Sequence, residues 1–195
     1  MKTSLINKFI SADRFSSYSD LNSYSQNMIY SKSSYIPLSV LEVALKNSID
    51  ELLTDIIGYS WFEDDSFLTN DSIRKVKDAK NILFRRGEKI IKSKIIAELS
   101  FGFWVNLFKK PYSKKLRTKE LQRIFNNLPS KQDQIINREI IYKRLNHIRN
   151  FRNRVFHYEK VLDRDNYNLI HDEIYEILSF FDDEVCEFAK RANDE

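Results

Sequence analysis

The residues of this chain best equipped for chemistry lie within one short stretch, Arg149–Lys160, reading RNFRNRVFHYEK. About three turns of helix there carry Arg149, Asn150, Arg152, Asn153, Arg154 and His157. A solvated helix face usually offsets its arginines with carboxylates one turn away. Here their neighbours are Asn and His, which supply hydrogen bonds and proton transfer instead. Arginine grips phosphate oxygens bidentately, and histidine moves protons near neutral pH. The cluster therefore suits binding of a phosphate backbone and its cleavage.

Helical periodicity assigns these side chains to faces. At about 100° per residue, with Leu145 at zero, Ile141, Ile148, Val155 and Phe156 fall within about 80° of it and form a buried stripe. Arg152 falls at about −20°, inside that stripe. A charge there is costly unless paired or hydrogen-bonded. Arg152 is thus expected at a polar cleft or subunit seam, or against Glu42, Asp50 or Glu51. Arg149, Asn153 and His157 follow at i, i+4 and i+8, beside Asn150, as a neighbouring polar strip. Regular helix separates Arg152 from His157 by about 140°. Both reach one phosphate only if the helix ends or distorts near Val155, or if a second subunit supplies one of them.

Structural alternatives stand beside these roles. His157 can be a helix-terminal histidine bonded to backbone carbonyls, and Arg152 a lock between helices. His147 and His171 lack the surrounding constellation and are expected at the surface. Trp61, Phe101, Phe103 and Trp104 are expected in the core. Cys186, on an acidic amphipathic helix, is expected to be inert.

The elements that position the cluster are helical. Only three glycines and three prolines interrupt 195 residues, which favours long helices over many-stranded β folds. Residues 1–35 are rich in Ser, Tyr and Asn and read as a partly irregular extension with a short helix over 20–30. The remaining 36–195 form the principal domain. Pro37 sits at a helix start; Leu41, Leu45, Ile49, Leu52, Leu53 and Ile56 then recur at helical spacing up to Gly58. Helices follow from Asp71 or Ser72 to Gly87, over 90–108 as the most buried one, over 114–125, over 133–158 and over 167–192. The expectation is an all-α, single-domain bundle of five to seven helices.

Charge is unevenly placed along this chain of net charge +4. Lys109, Lys110, Lys114, Lys115, Arg117, Lys119 and Arg123 form a basic block opposed only by Glu120. The last 25 residues are acidic. The basic block is either a solvated face or an RNA track through Lys114, Lys115, Arg117 and Arg123. One cysteine excludes an intrachain disulfide, and no Cys/His set has metal-ligand spacing. No glycine-rich phosphate loop, G-x-S-x-G elbow or H-E-x-x-H pair occurs. No apolar run reaches signal-peptide or membrane-span length, so no membrane association is expected, and the single cysteine is most simply read as marking a reducing, cytoplasmic compartment.

The run Arg152-Asn153, three residues, His157 resembles the arginine–polar–three–histidine signature of the HEPN superfamily of helical ribonucleases. The longer RNRVFHYE resembles its Abi-like (abortive infection) branch. ELSFGFWVNLF, residues 98–108, is similar to the aromatic core motif of that branch, and LEVALKNSIDELL, from Leu41, to its first long helix. Together the blocks span about residues 35–165, in the expected order. Three positions depart from the pattern: Tyr158 stands where many relatives have a second His, Lys160 where a Pro often follows the Glu, and Lys46 where Arg is common.

The resemblance implies a HEPN-like bundle and metal-independent RNA cleavage, in which the ribose 2′-hydroxyl attacks the adjacent phosphate and leaves a cyclic phosphate. His157 would move protons, Arg152 would stabilise the phosphorane charge, and Asn153 would orient His157 or a phosphate oxygen. Arg149, Asn150 and Arg154 would grip RNA. Dependence on the 2′-hydroxyl would select RNA over DNA. The resemblance also implies a homodimer sharing one cleft, phage defence or toxin action, and a possible antitoxin partner. No cofactor or metal is expected. The alternative is a HEPN module that binds RNA or docks a partner without cleaving.

Overall fold

The computed structural model describes residues 2–130 and 132–194. Among them the chain is all-helical, with 70% of residues in helix and no strand. Ten α-helices follow in order: α1 Thr3–Phe9, α2 Ala12–Phe15, α3 Leu21–Ile56, α4 Asn70–Arg85, α5 Lys92–Glu98, α6 Phe101–Asn106, α7 Thr118–Ile124, α8 Arg138–Phe156, α9 Ile170–Phe181 and α10 Asp183–Asp194. The count exceeds the expected five to seven because short helices stand where longer ones were expected; only α3, α4, α8, α9 and α10 reach twelve residues.

Helix α3 is the spine, 36 residues long, against which α6, α7, α8, α9 and α10 all lie. Asp20 starts it: its carboxylate accepts from the Ser23 amide at 2.7 Å, and Ser23 Oγ accepts in return from the Asp20 amide at 3.3 Å. That reciprocal pair satisfies two amides that a helix start leaves free. The helix then runs through the 35/36 boundary and through Pro37, which is buried inside it. Residues 21–35 are therefore regular helix, and Pro37 starts nothing. Proline in a helix interior costs a hydrogen bond, so contacts on both sides must hold the flanking turns. After Pro37, Leu38, Leu41, Leu45, Ile49, Leu52 and Leu53 are buried in the main core. Before it, Asn27 is buried and clamps a distant loop. Its Oδ1 accepts from the amides of Val161 and Leu162 at 2.8 and 3.0 Å, and its Nδ2 donates to the Glu159 carbonyl at 3.3 Å.

The expected helix over 90–108 is broken in two. Leu99 adopts an extended backbone (φ −67°, ψ 126°) and Ser100 opens α6. The Leu99 carbonyl accepts from the buried Trp104 indole N–H at 3.3 Å. Trp61, Trp104, Phe103, Phe108, Phe125 and Phe151 fill the centre, as expected of Trp61, Phe103 and Trp104.

Helix α8 begins later than expected, because Asn137 caps it by accepting from the Ile140 amide at 3.0 Å. Ile141, Leu145, Ile148 and Val155 form its buried stripe, joined by Phe151. Phe156 leaves that stripe: it is 38% exposed. The helix ends there, at Phe156, one residue before His157.

Candidate functional site at the end of α8

The chemistry of this region begins with how α8 stops. The Tyr158 amide donates to the Val155 carbonyl at 3.1 Å and the Glu159 amide to the Arg154 carbonyl at 2.9 Å. This paired closure normally has glycine in the left-handed position. Here Tyr158 occupies it, with φ 57°. A residue with a Cβ pays about 1–2 kcal/mol there. His157 is the C-cap (φ −96°, ψ 8°), and its amide donates to the Asn153 carbonyl at 2.9 Å. The His157 and Asn153 side chains are exposed, and among the described residues neither makes a hydrogen bond. The helix thus ends one residue past Val155, near where an ending was expected if Arg152 and His157 were to share a phosphate.

The three arginines have separate surroundings. Arg152 pairs with Glu42 of α3 at 3.3 Å, one of the three carboxylates expected for it, and its guanidinium lies 4.4 Å from the centre of the Phe156 ring. Arg154 pairs with Glu159 at 2.9 Å, and its Nε donates to the Lys160 carbonyl at 3.3 Å. It braces the chain just past the helix. Arg149 crosses α6 at Gly102, where an added Cβ would stand 3.4 Å from Arg149 Cδ. That is ordinary van der Waals contact, so the arginine packs closely on α6 without needing glycine there. Asn150 is exposed beside it.

Among the described residues, the polar atoms buried without a hydrogen-bond partner include a set of three on α8, Asn146 Oδ1, Arg149 Nε and Arg152 Nε, with Asn106 Oδ1 on α6. The three on α8 recur every third residue and so follow one side of the helix. Such atoms are rare in native proteins and mark a site of special use or a wet seam. No side-chain hydrogen bond or ion pair joins Arg152 to Asn153 or His157 among the described residues.

The basic block lies elsewhere. Helix α7 covers only 118–124, so Lys114 and Lys115 fall in the turn before it. Arg123 pairs with Asp55 of α3 at 2.6 Å. Arg152 meets α3 at Glu42, thirteen residues earlier, or about 20 Å away at 1.5 Å per residue. Arg117 Nε donates to the Lys114 carbonyl at 3.1 Å. Lys114, Lys115 and Arg117 are exposed, and a single chain does not gather them with the end of α8.

The other two histidines are not loose surface groups. His147 Nδ1 stands 2.6 Å from Glu173 Oε2, and its Nε2 donates to the Asn166 carbonyl at 2.7 Å, with the ring stacked on Tyr167. His171 Nε2 lies 2.7 Å from Ser34 Oγ, and its ring stacks on Tyr30 at 4.8 Å. Because Ser34 Oγ donates to the Tyr30 carbonyl at 2.9 Å, His171 Nε2–H is the donor between them. Burial holds the His171 pKa below its usual 6.5, against a smaller opposing pull from Asp172. Cys186 is buried, which raises its pKa and suits the inert role expected of it.

Sequence reasoning missed Asn27, Tyr35 and Lys32. The first clamps the chain beyond His157; the other two line a cavity beside it. Their only signal was a Ser- and Tyr-rich stretch that read as partly irregular, with a short helix over 20–30 that includes Asn27 but neither Lys32 nor Tyr35. Among the described residues no three His, Cys, Asp or Glu side chains cluster to hold a metal ion, and no helix is long and apolar enough to cross a membrane. Comparison of the chain with protein-family models, curated proteins and solved structures returns no match.

Proposed function

We propose that this chain is a metal-independent endoribonuclease of the HEPN type, acting in the cytoplasm in phage defence or as a toxin. The observation that carries the reading is the end of α8. A strained cap at Tyr158 stops the helix so that His157 is exposed one turn past Asn153, on the same helix whose Arg152 pairs with Glu42 of α3. In this mechanism His157 takes the proton from the ribose 2′-hydroxyl or gives one to the leaving 5′-oxygen. Arg152 stabilises the charge on the phosphorane. Asn153 positions a phosphate oxygen or the imidazole. Arg149 and Asn150 grip the neighbouring backbone.

Arg152 faces α3 while His157 faces solvent, so one chain does not complete the site. A homodimer joined along the 149–157 face would bring Arg152 of one protomer toward His157 of the other. An antitoxin covering the same face would silence it. The test is incubation with labelled single-stranded RNA in EDTA, with a 2′-deoxy copy as control. Expected are RNA fragments ending in a 2′,3′-cyclic phosphate and an intact deoxy strand; no cleavage of RNA, or equal cleavage of both, contradicts the reading.

A second reading has its own observation. Glu42 neutralises Arg152 and Glu159 neutralises Arg154 within the chain. Arginines paired this way brace a fold, which favours a HEPN module that binds RNA or a partner without cleaving it.

A further inference from the structure

Beside His157 the surface opens into a cavity of about 390 Å³ between the amino-terminal half of α3 and the end of α8. That volume lies within the range of small-ligand sites. Its walls carry Tyr24 and Tyr35 from the α3 side, and Phe156 and Tyr158 from either side of His157. The Tyr35 and Phe156 rings stand 5.9 Å apart at 40°. Arg14 and Lys32 also line it; both are exposed, and neither is ion-paired among the described residues. No carboxylate contributes to the lining.

Aromatic walls with two free cations and no acidic group match one ligand chemistry, an aromatic ring carrying a negative charge. From this juxtaposition we infer that the cavity is a nucleotide subsite, which stacks one base of single-stranded RNA on Tyr35 and Phe156 and holds its phosphate at Lys32 and Arg14. The inference deepens the ribonuclease reading and rests on it for the source of the nucleotide. Stacking platforms flanked by cations are how proteins hold single strands with little sequence preference. A paired strand keeps its bases stacked on one another, so the subsite selects unpaired RNA. Phe156 and Tyr158 adjoin His157 in the chain, and Arg152 lies over the Phe156 ring, 4.4 Å from its centre. The His157 side chain is not part of the lining, so a base seated here lies next to the chain segment that carries the proposed catalytic group. The strained Tyr158 gains a purpose too: glycine would relieve the backbone and remove an aromatic wall.

The test is calorimetric titration with adenosine 5′-monophosphate and, separately, ribose 5-phosphate. The mononucleotide should bind at least about tenfold tighter, since stacking on an aromatic side chain typically contributes that much. Tyr35→Ala should remove the difference and Tyr35→Phe retain it. Lys32→Glu should weaken both ligands. Tyr35 is 55% exposed, so its replacement leaves the core intact. Against RNA, Tyr35→Ala should raise KM with kcat within about twofold, because stacking on Tyr35 is present in ground and transition state alike. Equal binding of the two ligands overturns the subsite, as does Tyr35→Ala binding the mononucleotide as well as wild type. So does a result in which Tyr35→Ala only converts a dimer to a monomer by sedimentation. Mononucleotide discrimination without RNA cleavage would retain the subsite and refute the nuclease. Cleavage without discrimination would do the reverse.

Discussion

Two regions of this molecule carry histidine, and they use it in opposite ways. Where α9 packs on α3 and α8, His147 and His171 each hold fixed partners: Glu173 and the Asn166 carbonyl for one, Ser34 and the Tyr30 ring for the other. At the end of α8, His157 is exposed and its ring has no hydrogen bond among the described residues. His147 has both ring nitrogens engaged, and His171 has Nε2 bonded and its ring stacked in a half-buried site, so each stabilises the fold before it can serve a substrate. A histidine left open at a helix end costs the fold little and remains available. The contrast teaches that partner satisfaction, more than proximity to arginine, separates a structural histidine from a candidate catalyst.

The largest expected effect that sharpens the contrast comes from Arg152→Ala. On the nuclease reading it lowers RNA cleavage by about 100-fold or more, the scale for losing a group that stabilises transition-state charge. It also lowers the melting temperature, because Glu42 loses its partner and Phe156 its cation. If cleavage persists at the wild-type rate, Arg152 belongs with the structural residues.

Next comes Asn27→Ala, which strands the buried amide of Val161 and the neighbouring Leu162 amide. Leaving buried donors unsatisfied should cost about 2–3 kcal/mol in urea unfolding. Cleavage should fall as well, because the chain beyond Tyr158 loses its tether. A stability change within error would mean that the clamp does not hold the 159–162 loop.

A smaller effect concerns pH. Burial keeps the native His171 pKa below the 6.5 of the unfolded chain. As pH falls through about 6.5, the unfolded state gains a proton that the native state resists, so stability is full above that pH and declines below it. The decline continues down to the depressed native pKa. Thermal melts between neutral and mildly acidic pH should show this slope, and His171→Gln should flatten it. A slope unchanged in that variant would assign it to another group.

The smallest effect is expected from the basic block. Arg123 is committed to Asp55, so of the four residues expected to track RNA, Lys114, Lys115 and Arg117 remain without an ion pair among the described residues. Reversing Lys114 and Lys115 should weaken RNA binding modestly. The slope of log affinity against log salt should fall by about 0.7 for each phosphate no longer neutralised. An unchanged slope returns the block to a solvated face.

Much of this arrangement was legible in the sequence, for reasons that particular residues make plain. The scarcity of Gly and Pro pointed to helices, and Ile141, Leu145, Ile148 and Val155 marked the buried side of α8 through their spacing. Arg152 inside that stripe called for a polar cleft, a subunit seam or a carboxylate, and Glu42 supplies the last of these. Other features depend on contacts distant in sequence. Pro37 reads locally as a helix start, yet α3 continues through it because Asn27 and Leu41 are anchored on either side. The break at Leu99 depends on the Trp104 indole. His147 and His171 have no local hydrogen-bond partners, and those they find lie 19 to 137 residues away. The aromatic cavity joins residues more than a hundred positions apart, which no spacing rule reaches.

The central claim is that the open histidine performs the chemistry. The most direct measurement is the RNA cleavage rate of His157→Ala in EDTA, taken with its melting temperature. Loss of general acid–base catalysis predicts a fall of about 100-fold or more. An exposed side chain without partners predicts a stability within about 0.5 kcal/mol of wild type. A His157→Ala protein that cleaves single-stranded RNA at the wild-type rate would contradict the account.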